Sequence, residues 1–156
     1  MGPREVMRSQ RPAVVAAPLA LLLALLVATV GCGVVSRPDA AGWDQQAERA
    51  LTDAASQVAT ARLALENAAA GRTWSPYTTV LVADAEEAAG TAEEDLARLQ
   101  VPAARERAAA TALDLLHRAV ELVGEARAHA VDGVYDDRAL LEQLDVLARE
   151  LEQAAP

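Results

Sequence analysis

From Trp43 onward the apolar residues return every three or four positions, and only Gly71, Pro102 and Gly133 interrupt the pattern. That spacing lies along one face of a 3.6-residue helix and does not fit the two-residue period of a strand. The first segment runs from about Trp43 to Ala70 with Trp43, Ala47, Ala50, Leu51, Ala54, Val58, Ala61, Leu65 and Ala68 as its stripe. Gly71 follows in the position that suits a left-handed residue past a helix end. The second opens at Ser75-Pro76, read as an N-cap hydroxyl and a first-turn proline. Its stripe is Tyr77, Leu81, Ala85, Ala88, Ala92, Leu96 and Leu99, and it ends near Gln100 because Pro102 disfavours a helical Val101. The third carries Ala109, Leu113, Leu116, Val120, Val123 and Ala130, widened by Leu115, Ala119, Leu122 and Ala126. After Gly133, a fourth and shorter helix, read as capped by Asp136, buries Leu140, Leu144, Leu147 and Leu151.

Short connections make successive helices antiparallel neighbours, so the expected fold is all-α, an antiparallel up-down four-helix bundle. The alternative is a three-helix domain with a loosely docked fourth helix. Composition agrees: roughly a quarter of the 156 residues are Ala, the best helix former, and there is no Phe. An aromatic-rich β-sandwich is a poor fit to such a chain.

The first thirty-two residues have a different organisation. Arg4, Arg8 and Arg11 precede an uncharged run from Ala13 to Val30, rich in leucine between Leu19 and Leu26. Basic, then apolar, then small residues is the order of a secretory signal. The run closes on Ala28-Thr29-Val30-Gly31-Cys32, and Cys32 is the chain's single cysteine. This segment resembles the lipobox of bacterial lipoproteins, with Thr29 standing where that family usually carries Leu. The resemblance implies that the Cys32 thiol receives diacylglycerol, with acyl chains such as palmitate, and that the bond before it is cut. On that reading residues 1–31 are the signal peptide, 32–42 the lipidated cysteine and tether, and 43–156 the bundle. The competing reading keeps the 18-residue run as an uncleaved transmembrane anchor. Both put the basic residues inside and the domain on the extracytoplasmic face of the cell membrane.

All 14 basic residues are Arg, and the net charge is −9; without residues 1–31 it becomes −11. So acidic a domain is repelled by phosphate backbones and anionic headgroups, which excludes nucleic acid as a partner class and sets the domain off the bilayer. A nine-residue tether, 33–41, spans about 30 Å at most, which keeps any partner within the envelope. Arg-only, Ala-rich usage and the two hairpins resemble small, uncharacterised helical lipoproteins of actinobacteria, a likeness that brings no functional motif with it.

Few residues carry chemistry. One cysteine excludes an internal disulfide. No lysine means no P-loop, and Ser36, Ser56 and Ser75 stand in no nucleophile elbow. No cofactor and no catalytic or metal-ligand set is expected. The runner-up reading is a metal-binding or enzymatic bundle. It rests on Asp114-x-x-His117 and the second helix's carboxylates, Glu86-Glu87 and Glu93-Glu94-Asp95, if these face the core. His129 lies four residues after Glu125, a spacing for a surface pair.

The aromatic positions are more specific. In an up-down bundle, Trp74, Tyr77 and Tyr135 share one end with Arg72 and Arg138, while Trp43 lies at the other end beside the tether. Aromatics with Arg are the composition of interaction hot spots, and Arg72, Trp74, Tyr77, Tyr135 and Arg138 are the candidate partner contacts. The competing reading is a hydrophobic plug closing the bundle. The expected function is non-enzymatic: an anchored helical bundle that binds or scaffolds another envelope component.

Overall fold

The computed structural model describes residues 38–155. The apolar run, Cys32 and the start of the tether lie outside the described residues. Residues 35–156 form a compact unit of their own. The described residues fold into four helices, with no strand among them: α1 (Ala40–Ala69), α2 (Ser75–Ala97), α3 (Glu106–Asp132) and α4 (Arg138–Ala154). A single 3₁₀ turn, Ala103–Arg105, leads into α3. No described helix is long and apolar enough to cross a membrane.

The ends of the helices follow from a few residues. α1 begins at Ala40, before the expected Trp43, because the Asp39 carboxylate accepts the Gly42 N–H at 2.8 Å and caps the first turn. Its other end is closed by Gly71 at φ 67°, with Arg72 N–H donating to Asn67 O and Gly71 N–H to Ala68 O. Gly133 closes α3 in the same way at φ 73°, with Val134 N–H donating to His129 O. At both places a left-handed residue lets the chain reverse while satisfying the last carbonyls.

Two expected caps are corrected. Ser75 lies inside the first turn of α2, the N-cap is Trp74, and no side chain caps this helix. Pro76 makes that cheap, since its missing N–H leaves one donor fewer to satisfy. The cap of α4 is Asp137, not Asp136: its Oδ1 accepts from Ala139 and Leu140 N–H at 2.9 and 3.2 Å.

α1 packs against the other three helices, α3 does the same, and α2 and α4 barely meet. α2 and α4 therefore flank a central α1–α3 pair. Ala54 and Ala61 of α1 and Ala119 and Ala126 of α3 are fully buried, and so small a side chain lets neighbouring backbones approach closely. Leu51, Val58, Leu65, Leu116 and Val123 belong to the same core. Of the 26 buried hydrophobic residues among those described, 13 are alanines. Each buries little area, so the few large side chains carry most of the apolar stabilisation.

α4 is docked, not loose: Leu140, Leu144, Leu147 and Leu151 are all buried in the common core. The stripe of α2 needs correction. The buried positions are Thr78, Val82, Ala85, Ala89 and Leu96, so the inward face is turned by about one residue from the expected one. The expectation followed Tyr77 because it is apolar and passed over Thr78 because it is polar. The Thr78 hydroxyl lies 3.0 Å from that of Thr73 and donates to Trp74 O, so burial leaves it satisfied.

Candidate functional site

The α1–α2 and α3–α4 turns and the helix ends beside them carry most of the large exposed apolar side chains among the described residues. Thr79 Oγ1 donates to Ala130 O at 3.3 Å, which sets the first turn of α2 against the last turn of α3. Trp74 and Tyr77 precede that contact on the α2 side and Tyr135 follows it on the α3 side, and the environments of the three differ sharply. Trp74 is 84% exposed and Tyr77 59%. Tyr135 instead packs against the core, with its hydroxyl buried and without a hydrogen-bond partner among the described residues. The plug is therefore Tyr135 alone, and Trp74 and Tyr77 are surface groups.

Four further residues extend this surface. Leu63, Val80, Val131 and Val134 are all exposed, and each stands off the inward face of its helix or turn. Sequence reasoning missed them, although the signal was there: an apolar residue outside its helix's core stripe has nothing within the fold to cover it. Between α1 and α2, Leu63, Ala64, Thr73, Tyr77 and Leu81 line a mostly apolar groove of about 340 Å³. Contiguous exposed apolar surface of this kind marks interaction sites in soluble domains.

The two arginines differ too. Arg72 Nε donates to Asn67 Oδ1 at 2.7 Å, which holds the side chain along the end of α1. Arg138 opens α4, exposed, and forms no ion pair among the described residues. The nearby His129 does not pair with Glu125. Its Nδ1 lies 3.9 Å from Asp137 Oδ2 across the Gly133 turn. The reversal of the chain at Gly133 brings Asp137 back against the last turn of α3.

The residues of the metal or enzyme reading take other places. No carboxylate of α2 belongs to the buried face. His117 is 60% exposed, and its neighbours are Glu93 at 3.3 Å and Glu121 at 3.5 Å, not Asp114. Among the described residues no three His, Cys, Asp or Glu side chains are grouped to hold a metal ion.

At the opposite end, Arg105 grips Asp44 with two hydrogen bonds, Nε to Oδ1 at 2.6 Å and a terminal nitrogen to Oδ2 at 2.7 Å. This fork joins the start of α1 to the turn before α3. The hydrogen bond from Arg105 holds the Asp44 carboxyl below its ordinary value; desolvation opposes the shift and the guanidinium charge adds to it. A lowered carboxyl pKa stabilises the fold above the unfolded value of about 3.9 and ceases to do so as pH falls through the folded value. Asp44→Asn is therefore expected to lower the melting temperature by a constant amount between pH 5 and 7. That gap should narrow as pH falls below about 4, where the unfolded carboxyl takes up its proton first, and close once pH has fallen through the lower folded value, where the native carboxyl is protonated too. Melting curves of both proteins across that range check it.

No family model matches the chain, and no curated protein or solved structure matches it either.

Proposed function

We propose that this chain is an envelope lipoprotein, anchored through Cys32, whose helical domain binds another envelope component through its exposed apolar end. The observation that carries the binding reading is Trp74. An indole left 84% exposed contributes nothing to the core and disfavours the unbound state in water. Aromatic residues in such a position are the usual anchors of protein interfaces. Arg72 and Arg138 at the same end supply directional donors for a partner's carboxylates or carbonyls.

The helices are read as up-down-up-down. Contacts between neighbouring helices run in opposite sequence order, which supports this topology: Thr79 with Ala130, Glu86 with Arg127, and Glu93 with His117 between α2 and α3. Arg62 with Asp145 joins the second half of α1 to the middle of α4, and Arg118 with Glu150 joins α3 to the last turns of α4. On that topology the apolar end is the one remote from the start of α1, and so from the tether. It is offered to a partner standing away from the lipid. Anchoring rests on the Ala28–Cys32 segment, and the non-enzymatic reading on the absence of a recognisable catalytic motif in the sequence.

The experiment separates contact from structure. Trp74→Ala should change stability by no more than about 0.5 kcal/mol, the usual range for an exposed site. A photo-crosslinker placed at Tyr77 should trap a discrete envelope protein in the parent chain. Trp74→Ala and Arg72→Ala should each reduce that adduct several-fold with the melting temperature unchanged. Adducts that persist at full yield in both variants, or a large loss of stability in Trp74→Ala, would exclude this end as the contact surface.

A further inference from the structure

A cleft of about 450 Å³ opens at the other end of the domain, between the first turns of α1, the Ala103–Arg105 turn and the start of α3. Its size falls within the range of small-molecule sites. Ala47, Leu51, Ala108, Ala112 and Ala154 supply its apolar surface. The cleft exists because these positions are mostly alanine, which leaves room beside Trp43, the one aromatic side chain there.

Trp43 lines this cleft, is only 2% exposed, and its indole N–H is buried with no acceptor among the described residues. Nearly all buried donors in folded proteins have a partner, so an indole N–H left over beside a cleft indicates an acceptor from outside. A second observation concerns charge. Two arginines line the cleft, and Arg105 is fully engaged by Asp44. Arg107 makes no ion pair among the described residues, although the domain around it is strongly acidic. The arginine of the cleft between α3 and α4, Arg118, is by contrast taken by Glu150 at 3.0 Å.

We propose that this cleft binds a single-chain amphiphile with a carboxylate head, of the fatty-acid class. The tail lies against the alanine surface, the negative charge faces the Arg107 guanidinium, and one head oxygen accepts the Trp43 N–H, which a small rotation of the indole on binding brings from its buried position to the cleft. A monoanion fits better than a phosphate dianion, because the single unpaired arginine lining this cleft, in a domain of charge −11, offsets one negative charge and not two. Guanidinium also matches the planar carboxylate in geometry.

The test uses residues 35–156, whose core is complete within the unit, and dodecanoate below its micelle concentration, read by calorimetry. Saturable one-site binding is expected. Dodecanol, which lacks the charge, should bind at least tenfold more weakly, and acetate, which lacks the tail, should give no heat. Arg107→Gln, an exposed change that leaves the core intact, should weaken dodecanoate about tenfold. Trp43→Phe should weaken it several-fold, and Ala108→Leu, which fills the cleft from its exposed rim, should abolish it. If Trp43→Phe fails to fold, as circular dichroism would reveal, Arg107→Gln and Ala108→Leu decide alone. Absence of saturable binding, equal affinity for dodecanol, or unchanged affinity in Arg107→Gln would overturn the assignment. So would binding that Trp74→Ala removes, since that would put the amphiphile at the opposite end.

Discussion

Replacing Cys32 with Ser is expected to abolish incorporation of labelled palmitate and to leave a longer precursor that keeps residues 1–31. The effect should be all-or-none. The diacylglyceryl group is carried on a thioether, formed by a sulfur nucleophile, and a serine hydroxyl is far less readily ionised and a poorer nucleophile. Two acyl chains hold a protein stably at a bilayer where one does so only marginally, so on the lipoprotein reading the modification would decide the address of the mature domain. Membrane fractionation by itself does not test this, because the precursor retains its 18-residue apolar run. The informative measurements are the label and the shift in electrophoretic mobility. Label that survives in Cys32→Ser would remove the lipoprotein reading, and with it the restriction of partners to the envelope.

Leu144→Ala should lower the stability of the domain by about 2–5 kcal/mol, the cost of deleting a fully buried leucine and leaving a cavity. Several features put this site at the upper part of that range. α4 is the shortest helix, at 17 residues, and it is held by four leucines with no buried alanine among them. Half of the buried hydrophobic residues among those described are alanines, so each large core side chain carries a large share of the buried apolar area. Total stability of a domain of this size is about 5–15 kcal/mol, and a loss of this kind is a large fraction of it. Chemical denaturation of residues 35–156 measures it, with Glu142→Ala on the exposed side of the same helix expected to stay within about 0.5 kcal/mol. A loss below about 1 kcal/mol in Leu144→Ala would mean that α4 is not docked.

The fold was legible where periodicity and punctuation coincide. In α4 all four expected leucines are buried, and in α1 the whole expected stripe but Ala68; in α3 Leu113, Val120 and Leu122 are only half-buried while Ala112 joins the buried face, and Gly71 and Gly133 end their helices in the left-handed conformation that glycine alone adopts freely. In α2 the pattern is weak, because small and polar residues alternate along it. Hydropathy alone then placed Tyr77 inward and Thr78 outward, the reverse of what the structure has. The same weakness hid the candidate site. That Trp74 and Tyr77 share an end with Tyr135 follows from chain order, but which of them is buried does not.

The sequence by itself determined the helical class, the number and order of the helices, and the division between an uncharged apolar run near the N-terminus and an acidic helical domain, while helix ends moved by a few residues, as at Ala40 and Ala97. These depend on local propensity, on spacing along one chain and on charge, all of which are read from neighbours in sequence. The tertiary structure decided which carboxylate each arginine holds, which aromatic residues close the domain and which stay in water, and that Trp43 and Arg107 line one cleft. These pairings join residues far apart in sequence: Asp44 and Arg105 are 61 positions apart, Glu86 and Arg127 are 41. Their physical reason is rotational. A helix face of mostly alanine tolerates a turn of one residue at little cost in buried area, and only packing against the other helices selects the angle that sets every surface contact.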